Sequence, residues 1–198
     1  MRNIISVTFR FDTRKATEAA YLFIRREGGW LNVMKLVKLV YLLDRLSIAK
    51  RGIPVVGGVY FSMKNGPVTS ELLDIINSGK LADEEAAGWD DLISARKGHM
   101  VALQKEDVSI ESLSDAEIQL IDEVYQEHGR KDQWEIRNWC HQNCGEWTSL
   151  QSGRSNIGID QIAQNVGKSP AEVERIVEEA SESNLMSSIF SAARPFHA

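Results

Sequence analysis

The chain has 198 residues, of which 43% are hydrophobic and 26% charged, and a formal net charge of −5. That length suits one core, or one core with a small helical extension, and that composition excludes a largely disordered chain. The acidic balance offers no general attraction to a nucleic-acid backbone, and the longest apolar stretch, residues 36–46, is interrupted by Lys38, Asp44 and Arg45 and falls short of the ~20 residues of a membrane span.

The first ten residues carry Arg2 and Arg10 around Ile4, Ile5 and Val7, without an apolar h-region or a small-residue cleavage site, so a cytoplasmic location is expected. Ile5, Val7, Phe9 and Phe11 alternate with polar residues, which predicts a first short strand. From Asp12 the pattern turns helical through Ala16, Ala19, Ala20, Phe23 and Ile24, ending at Gly28-Gly29. Asn32 then reads as the N-cap of a helix over 33–51. That helix is apolar nearly all round, which predicts a buried central element.

Gly52-Ile53-Pro54 stops it, and Val59, Phe61 and Met63 alternate with Tyr60, Ser62 and Lys64 as a strand. Because proline suits the first turn of a helix, Asn65-Gly66-Pro67 predicts a tight turn into a helix bearing Val68, Leu72, Ile75 and Ile76. A polar segment over 78–91 and a short strand around Met100 and Ala102 follow. Ser114 and Glu117 form a capping-box pattern before a helix over 115–128, ended by Gly129. Trp134, Ile136, Trp139 and Cys140 imply another helix running towards Gly145. Residues 148–156 read as a loop or hinge. Two short helices follow, over 159–166 and 170–184, the second opened by Ser169, Pro170 and Glu172. From Leu185 onward a flexible tail is expected.

The fold class expected is mostly α (α+β): a helical domain around a buried central helix with a small antiparallel sheet, residues 1–147. A C-terminal helical hairpin over 148–184 and the tail, 185–198, complete the chain.

Four constellations could carry chemistry. Ile162, Ala163, Gly167, Val173 and Ile176 have helix-turn-helix spacing, which is first a packing signature. The second helix carries Glu172, Glu174, Glu178, Glu179 and Glu182 against Arg175 alone, so reading of DNA is disfavoured. Cys140, His141, Cys144 and His128 lack the two separate ligand pairs of a structural zinc site, and the cysteines read as small buried hydrophobes. There is no G-x-S-x-G and no glycine-rich phosphate loop, so no catalytic residue is assigned, and no metal or cofactor. Lys35 and Lys38 on the apolar helix call for compensation, and an internal ion pair with Asp12, Asp44 or Glu71 is expected.

Phe11-Asp12 with Lys15-Ala16, Lys35-Leu36-Val37-Lys38-Leu39-Val40-Tyr41 with Asp44-Arg45, the run from Tyr60 through Gly66-Pro67-Val68, and His141 with Glu146-Trp147 occur in this order, and with them the chain resembles the Panacea domain family of SocA-like antitoxins; residues 159–177 resemble the helical tail of longer members. The resemblance implies an antitoxin, not an enzyme, that neutralises a cognate toxin by direct contact. Two alternatives stand beside it: an adaptor that delivers a client to a bacterial protease through the tail, and a DNA-binding autorepressor, disfavoured by charge. An enzyme ranks behind these, and a deep pocket with polar groups converging around Lys35, Lys38 and His141 would raise it. The motif residues Lys35, Leu36, Lys38, Leu39, Tyr41, Asp44, Gly66, Pro67, His141, Glu146 and Trp147 are assigned to the scaffold. Contact with the partner is assigned to Tyr60, Ser62 and Lys64, as the outward face of their strand, and to Glu172, Glu174, Glu178 and Glu179, whose charge suits a basic toxin.

Overall fold

The computed structural model describes residues 7–78 and 88–192, with side chains as far as 185. Helix α1 (Thr13–Arg26) is capped by Asp12, whose carboxylate accepts from the Lys15 N–H. Its small residues Ala16, Ala19 and Ala20 are fully buried and let it lie close against its neighbours. The strand expected before it does not form in its described part. Phe9 and Phe11 do pack on the core, but the backbone is tied by single bonds, from the Asp12 N–H to the Val56 carbonyl (2.8 Å) and from the Gly58 N–H to the Phe9 carbonyl (2.9 Å), without a ladder. Ile5 lies outside the described residues.

A short strand, β1 (Trp30–Asn32), leads into α2 (Val33–Arg51). The Asn32 side chain accepts from the Met34 and Lys35 N–H groups, and Gly52, at φ 81°, closes the far end in the left-handed conformation that glycine adopts without penalty. Between these caps, Leu36, Leu39, Val40 and Leu43 are buried completely or nearly so. Each contributes about 1.5–3 kcal/mol relative to exposure. Around α2 sit α1, α3 (Ser70–Ser78), α5 (Asp115–His128), α6 (Gln133–Asn143) and α7 (Ile159–Asn165), together with β1 and β3 (Gly66–Thr69). The central helix is therefore the axis on which everything else is placed, as its all-round apolar pattern predicts.

The strands form two antiparallel pieces: β1 with β4 (Met100–Ala102), and a three-stranded sheet in the order β3-β2-β5, in which β2 is Tyr60–Met63 and β5 is Arg154–Ile157. Two expectations are corrected here. Pro67 does not open a helix; it lies in β3 opposite Ser62, and the helix begins at Ser70. Lys64 and Asn65 make the turn, and Gly66, at φ 98°, supplies the left-handed residue such hairpins use. β3 is the edge of its sheet, where a missing N–H can face away from the ladder. Within the expected loop over 148–156, Arg154 to Asn156 join Ile157 as β5 and pair with β2, tying the C-terminal helices to the sheet.

α5 begins with the reciprocal Ser114–Glu117 box, and α6 with an equivalent box between Asp132 and Glu135. A short helix, α4 (Trp89–Leu92), seats Trp89 in the core. After α7, the last helix, α8 (Pro170–Ala192), continues past Leu185, so the described part of the expected tail is helical as far as Ala192. The molecule is thus mostly helical with a small amount of antiparallel sheet. Among the described residues no helix is long and apolar enough to cross a membrane.

Candidate functional site

The motif residues are arranged around α2, and most of their polar groups are engaged in internal bonds. Asp44 is buried at the centre. Its Oδ1 accepts from the Val55 and Val56 N–H groups (2.8 and 2.7 Å), and its Oδ2 from the Gly57 N–H (3.1 Å) and the Tyr60 hydroxyl (2.9 Å). Burial raises its pKa to about 6, against the pull of those four donors. Asp44 thus folds the 55–57 loop back onto the helix that carries it.

Tyr41, three residues before Asp44 on α2, donates to Glu146 Oε1 (2.7 Å), which also accepts from Arg45 Nε (2.8 Å). Burial, with the Glu146 charge beside it, pushes the Tyr41 hydroxyl well above its ordinary pKa, and burial with Asp44 does the same to Tyr60. The two tyrosine rings meet edge to face at 5.8 Å. Trp147 stacks on His141 (3.8 Å between ring centres, 6° between planes) and donates its indole N–H to the Met63 carbonyl (3.0 Å). These bonds lock the segment after α6 to the edge of β2.

Both lysines depart from expectation. Lys35 pairs with Glu27, at 2.5 Å, and donates to the Gly129 carbonyl at 2.8 Å. Asp12 is spent on its cap, Asp44 on the 55–57 loop, and Glu71 on the Val59 N–H. Lys38 is 1% exposed and pairs with no carboxylate among the described residues; its ammonium donates to the Pro67 carbonyl at 2.6 Å. Burial lowers its pKa from 10.5 to about 8, opposed by the neighbouring thiols of Cys140 and Cys144. Gly66 makes room for it, since a Cβ there would stand 3.0 Å from Lys38 Cε.

The assigned contact residues divide. Tyr60 and Ser62 are 0% and 1% exposed, so they face inward and are withdrawn from the outward strand face. The period-2 reading was right about alternation and wrong about which face is covered, because the polar register packs on Asp44 and on the Thr148 N–H, which donates to the Ser62 hydroxyl (2.9 Å). Lys64 is exposed at the hairpin turn. On α8, Glu174, Glu178 and Glu179 are exposed. Glu172 is half-buried and closes the cap with Ser169 while pairing with Lys168. Cys140 and Cys144 are buried free thiols, and His128 is buried against the Trp139 ring. Among the described residues no group of three or more His, Cys, Asp or Glu side chains is placed to hold a metal.

A cavity opens beside Lys38. It holds about 400 Å³ over the first turns of α2 and is floored by Val37, Val68 and Leu73, with Lys38 in its wall. That volume lies within the ordinary range of ligand pockets. Its rim includes Lys64, Arg96, His99 and Trp134. Trp134 is 49% exposed, although its place in an apolar helical pattern predicts burial. Arg96, His99 and Trp134 were not assigned to a site from the sequence, because the loop carrying the first two and the helix α6 carrying the third converge only through the fold. The one local sign is that Trp134 stands out of phase with Ile136 and Cys140, the buried positions of α6. Neither Lys35 nor His141 lines this cavity, so among the described residues Lys35, Lys38 and His141 do not converge there.

A family model described as the SocA-like antitoxin, Panacea domain, matches residues 36–148, more than half of the chain. It contains α2 from Leu36, the β2–β3 hairpin and the His141, Glu146 and Trp147 group. Residues 11–35 and 149–177, included in the wider resemblance, lie outside it. No curated protein and no solved structure matches the chain. With the motif residues assembled around α2 and the match running from that helix through Trp147, this chain belongs to the family of SocA-like antitoxins with a Panacea domain.

Proposed function

We propose that this protein neutralises a cognate protein toxin by direct contact, covering a surface the toxin needs, and that it does so without catalysing a reaction. The observation that carries the reading is the family match across the helix, hairpin and tryptophan segment that organise the molecule. The internal engagement of Asp44, Tyr41, Glu146 and Lys35 supports it, since polar groups held by one another build a rigid body and are not poised to react. A rigid body presents an interface at low entropic cost.

The exposed carboxylates Glu174, Glu178 and Glu179 on α8 offer a negative face to a basic partner. The same charges repel phosphates and weigh against operator binding by this helix. Delivery to a protease is the second mode open to such a protein, and removal of residues 185–198 separates the two: occlusion survives the truncation and delivery does not.

The test is co-expression with the product of the reading frame adjacent to its gene. Growth arrest by that product alone, relieved when this protein is present, is the expected result. A neighbour harmless by itself, or equally toxic in both settings, contradicts the proposal.

A further inference from the structure

Lys35 and Lys38 stand three residues apart on α2 and are both buried, yet among the described residues Lys35 has a carboxylate counter-ion and Lys38 has none. An ammonium carries three donors. Among the described residues that of Lys38 has one acceptor, the Pro67 carbonyl. A buried cation without a carboxylate is unfavourable unless another group compensates it. Lys38 lines the cavity described above, and among the described residues every titratable side chain along that lining is a base: Lys38, Lys64, Arg96 and His99. On a chain of net charge −5, this is a local reversal of sign.

The rest of the lining narrows the ligand. Val37, Val68 and Leu73 give it an apolar floor, and the half-exposed Trp134, with Arg137 over its ring at 5.1 Å, stands at the rim. A phosphate would bring three oxygens needing donors into a mostly apolar space. A carboxylate on an aliphatic stem needs few donors at its tip and apolar walls along its length. An exposed tryptophan beside a pocket also suits a protein surface, where such side chains anchor interfaces around a desolvated centre.

We propose that this pocket receives an aspartate or glutamate side chain, flanked by apolar residues, from the partner protein, with Lys38 as its buried counter-ion and Lys64 and Arg96 guiding its entry. The identity of that partner as a toxin rests on the antitoxin reading; the chemistry of the pocket does not.

The test uses the full chain, labelled with ¹⁵N, and three probes: the blocked peptide acetyl-Leu-Glu-Leu-amide, its Gln counterpart, and inorganic phosphate. The Trp134 indole signal, assigned with Trp134→Phe, reports binding. The Glu peptide is expected to shift that signal at least tenfold more tightly than the Gln peptide, with the response lost in Lys38→Met. Equal response to the two peptides, a response retained in Lys38→Met, or phosphate acting at lower concentration than the Glu peptide overturns the proposal. Should Lys38→Met fail to fold, the double variant Lys64→Glu, Arg96→Glu, altered at exposed positions, carries the same test: a weakening of at least tenfold supports the proposal and an unchanged affinity overturns it. Co-expression separates the two readings. Failure of the wild-type protein to relieve toxicity defeats the antitoxin reading and leaves the peptide result standing; relief undiminished in Lys38→Met and in the double variant defeats the pocket alone.

Discussion

Asp44 gathers three backbone N–H groups and one phenol around a single buried carboxylate. Removing it leaves those donors buried and unpaired, at about 1–3 kcal/mol for each group. Asp44→Ala is therefore expected to destabilise the fold by at least about 3 kcal/mol in urea denaturation, whereas a loss below about 1 kcal/mol would mean that water or another acceptor replaces the carboxylate. Lys38 has the opposite sign. Its folded pKa of about 8 lies below the ordinary 10.5, so between those values the unfolded chain binds the extra proton and stability rises with pH. Below pH 8 the buried charge is carried in full. Lys38→Met is expected to be at least as stable as the wild type at neutral pH, with the difference closing as pH rises from 8 towards 10.5; denaturation at a series of pH values measures this. A variant less stable at neutral pH, by a margin constant across that range, would show that the ammonium is compensated by its bond to Pro67. The need for compensation was legible from two lysines in an apolar helix. The partners were not: Glu27 reaches Lys35 from the end of the preceding helix, and Asp44 is taken by loop amides that no side-chain pattern announces.

Among the elements, the helix starts marked by a side-chain cap were read accurately, because cap chemistry is local, whereas the start expected at Pro67 was misplaced. Asn32, Ser114 and Ser169 each satisfy N–H groups two or three residues onward, within a stretch short enough to see in the chain. Strands β3 and β5 escaped because their pairing partners lie elsewhere. Gly-Pro-Val-Thr becomes a strand only through β2 opposite it, and the polar Arg154-Ser155-Asn156 only by backbone bonding to β2's other edge, with Arg154 over the Phe61 ring at 4.4 Å. The hairpin also couples to the site through Gly66. Alanine there meets both the φ of 98° and the Lys38 side chain, 3.0 Å from Cε and 3.2 Å from Nζ. Gly66→Ala is expected to lower stability by more than about 1 kcal/mol, read from the denaturation midpoint. If the cause is contact with Lys38 as well as backbone strain, Lys38→Met will recover part of that loss in a double-mutant cycle; strict additivity would assign the whole effect to the backbone.

At the scale of the whole molecule, a helix buried on nearly every side is surrounded by elements whose polar groups mostly answer one another, and the surface keeps two features of opposite charge: the carboxylates of α8 and the basic rim of the cavity over α2. The fold class was legible from periodicity, since an element apolar all round has one place to go. The cavity was not, because its wall is drawn from segments as far apart as Lys38, Arg96 and Trp134. The proposed function has such a body act by association, and association has a direct measure. Calorimetric titration of the purified protein with the product of the adjacent reading frame, rendered inactive for purification, is expected to give a saturable complex with a Kd of about 1 μM or tighter, near −8 kcal/mol. No heat and no co-elution at concentrations tenfold above that value would contradict the account.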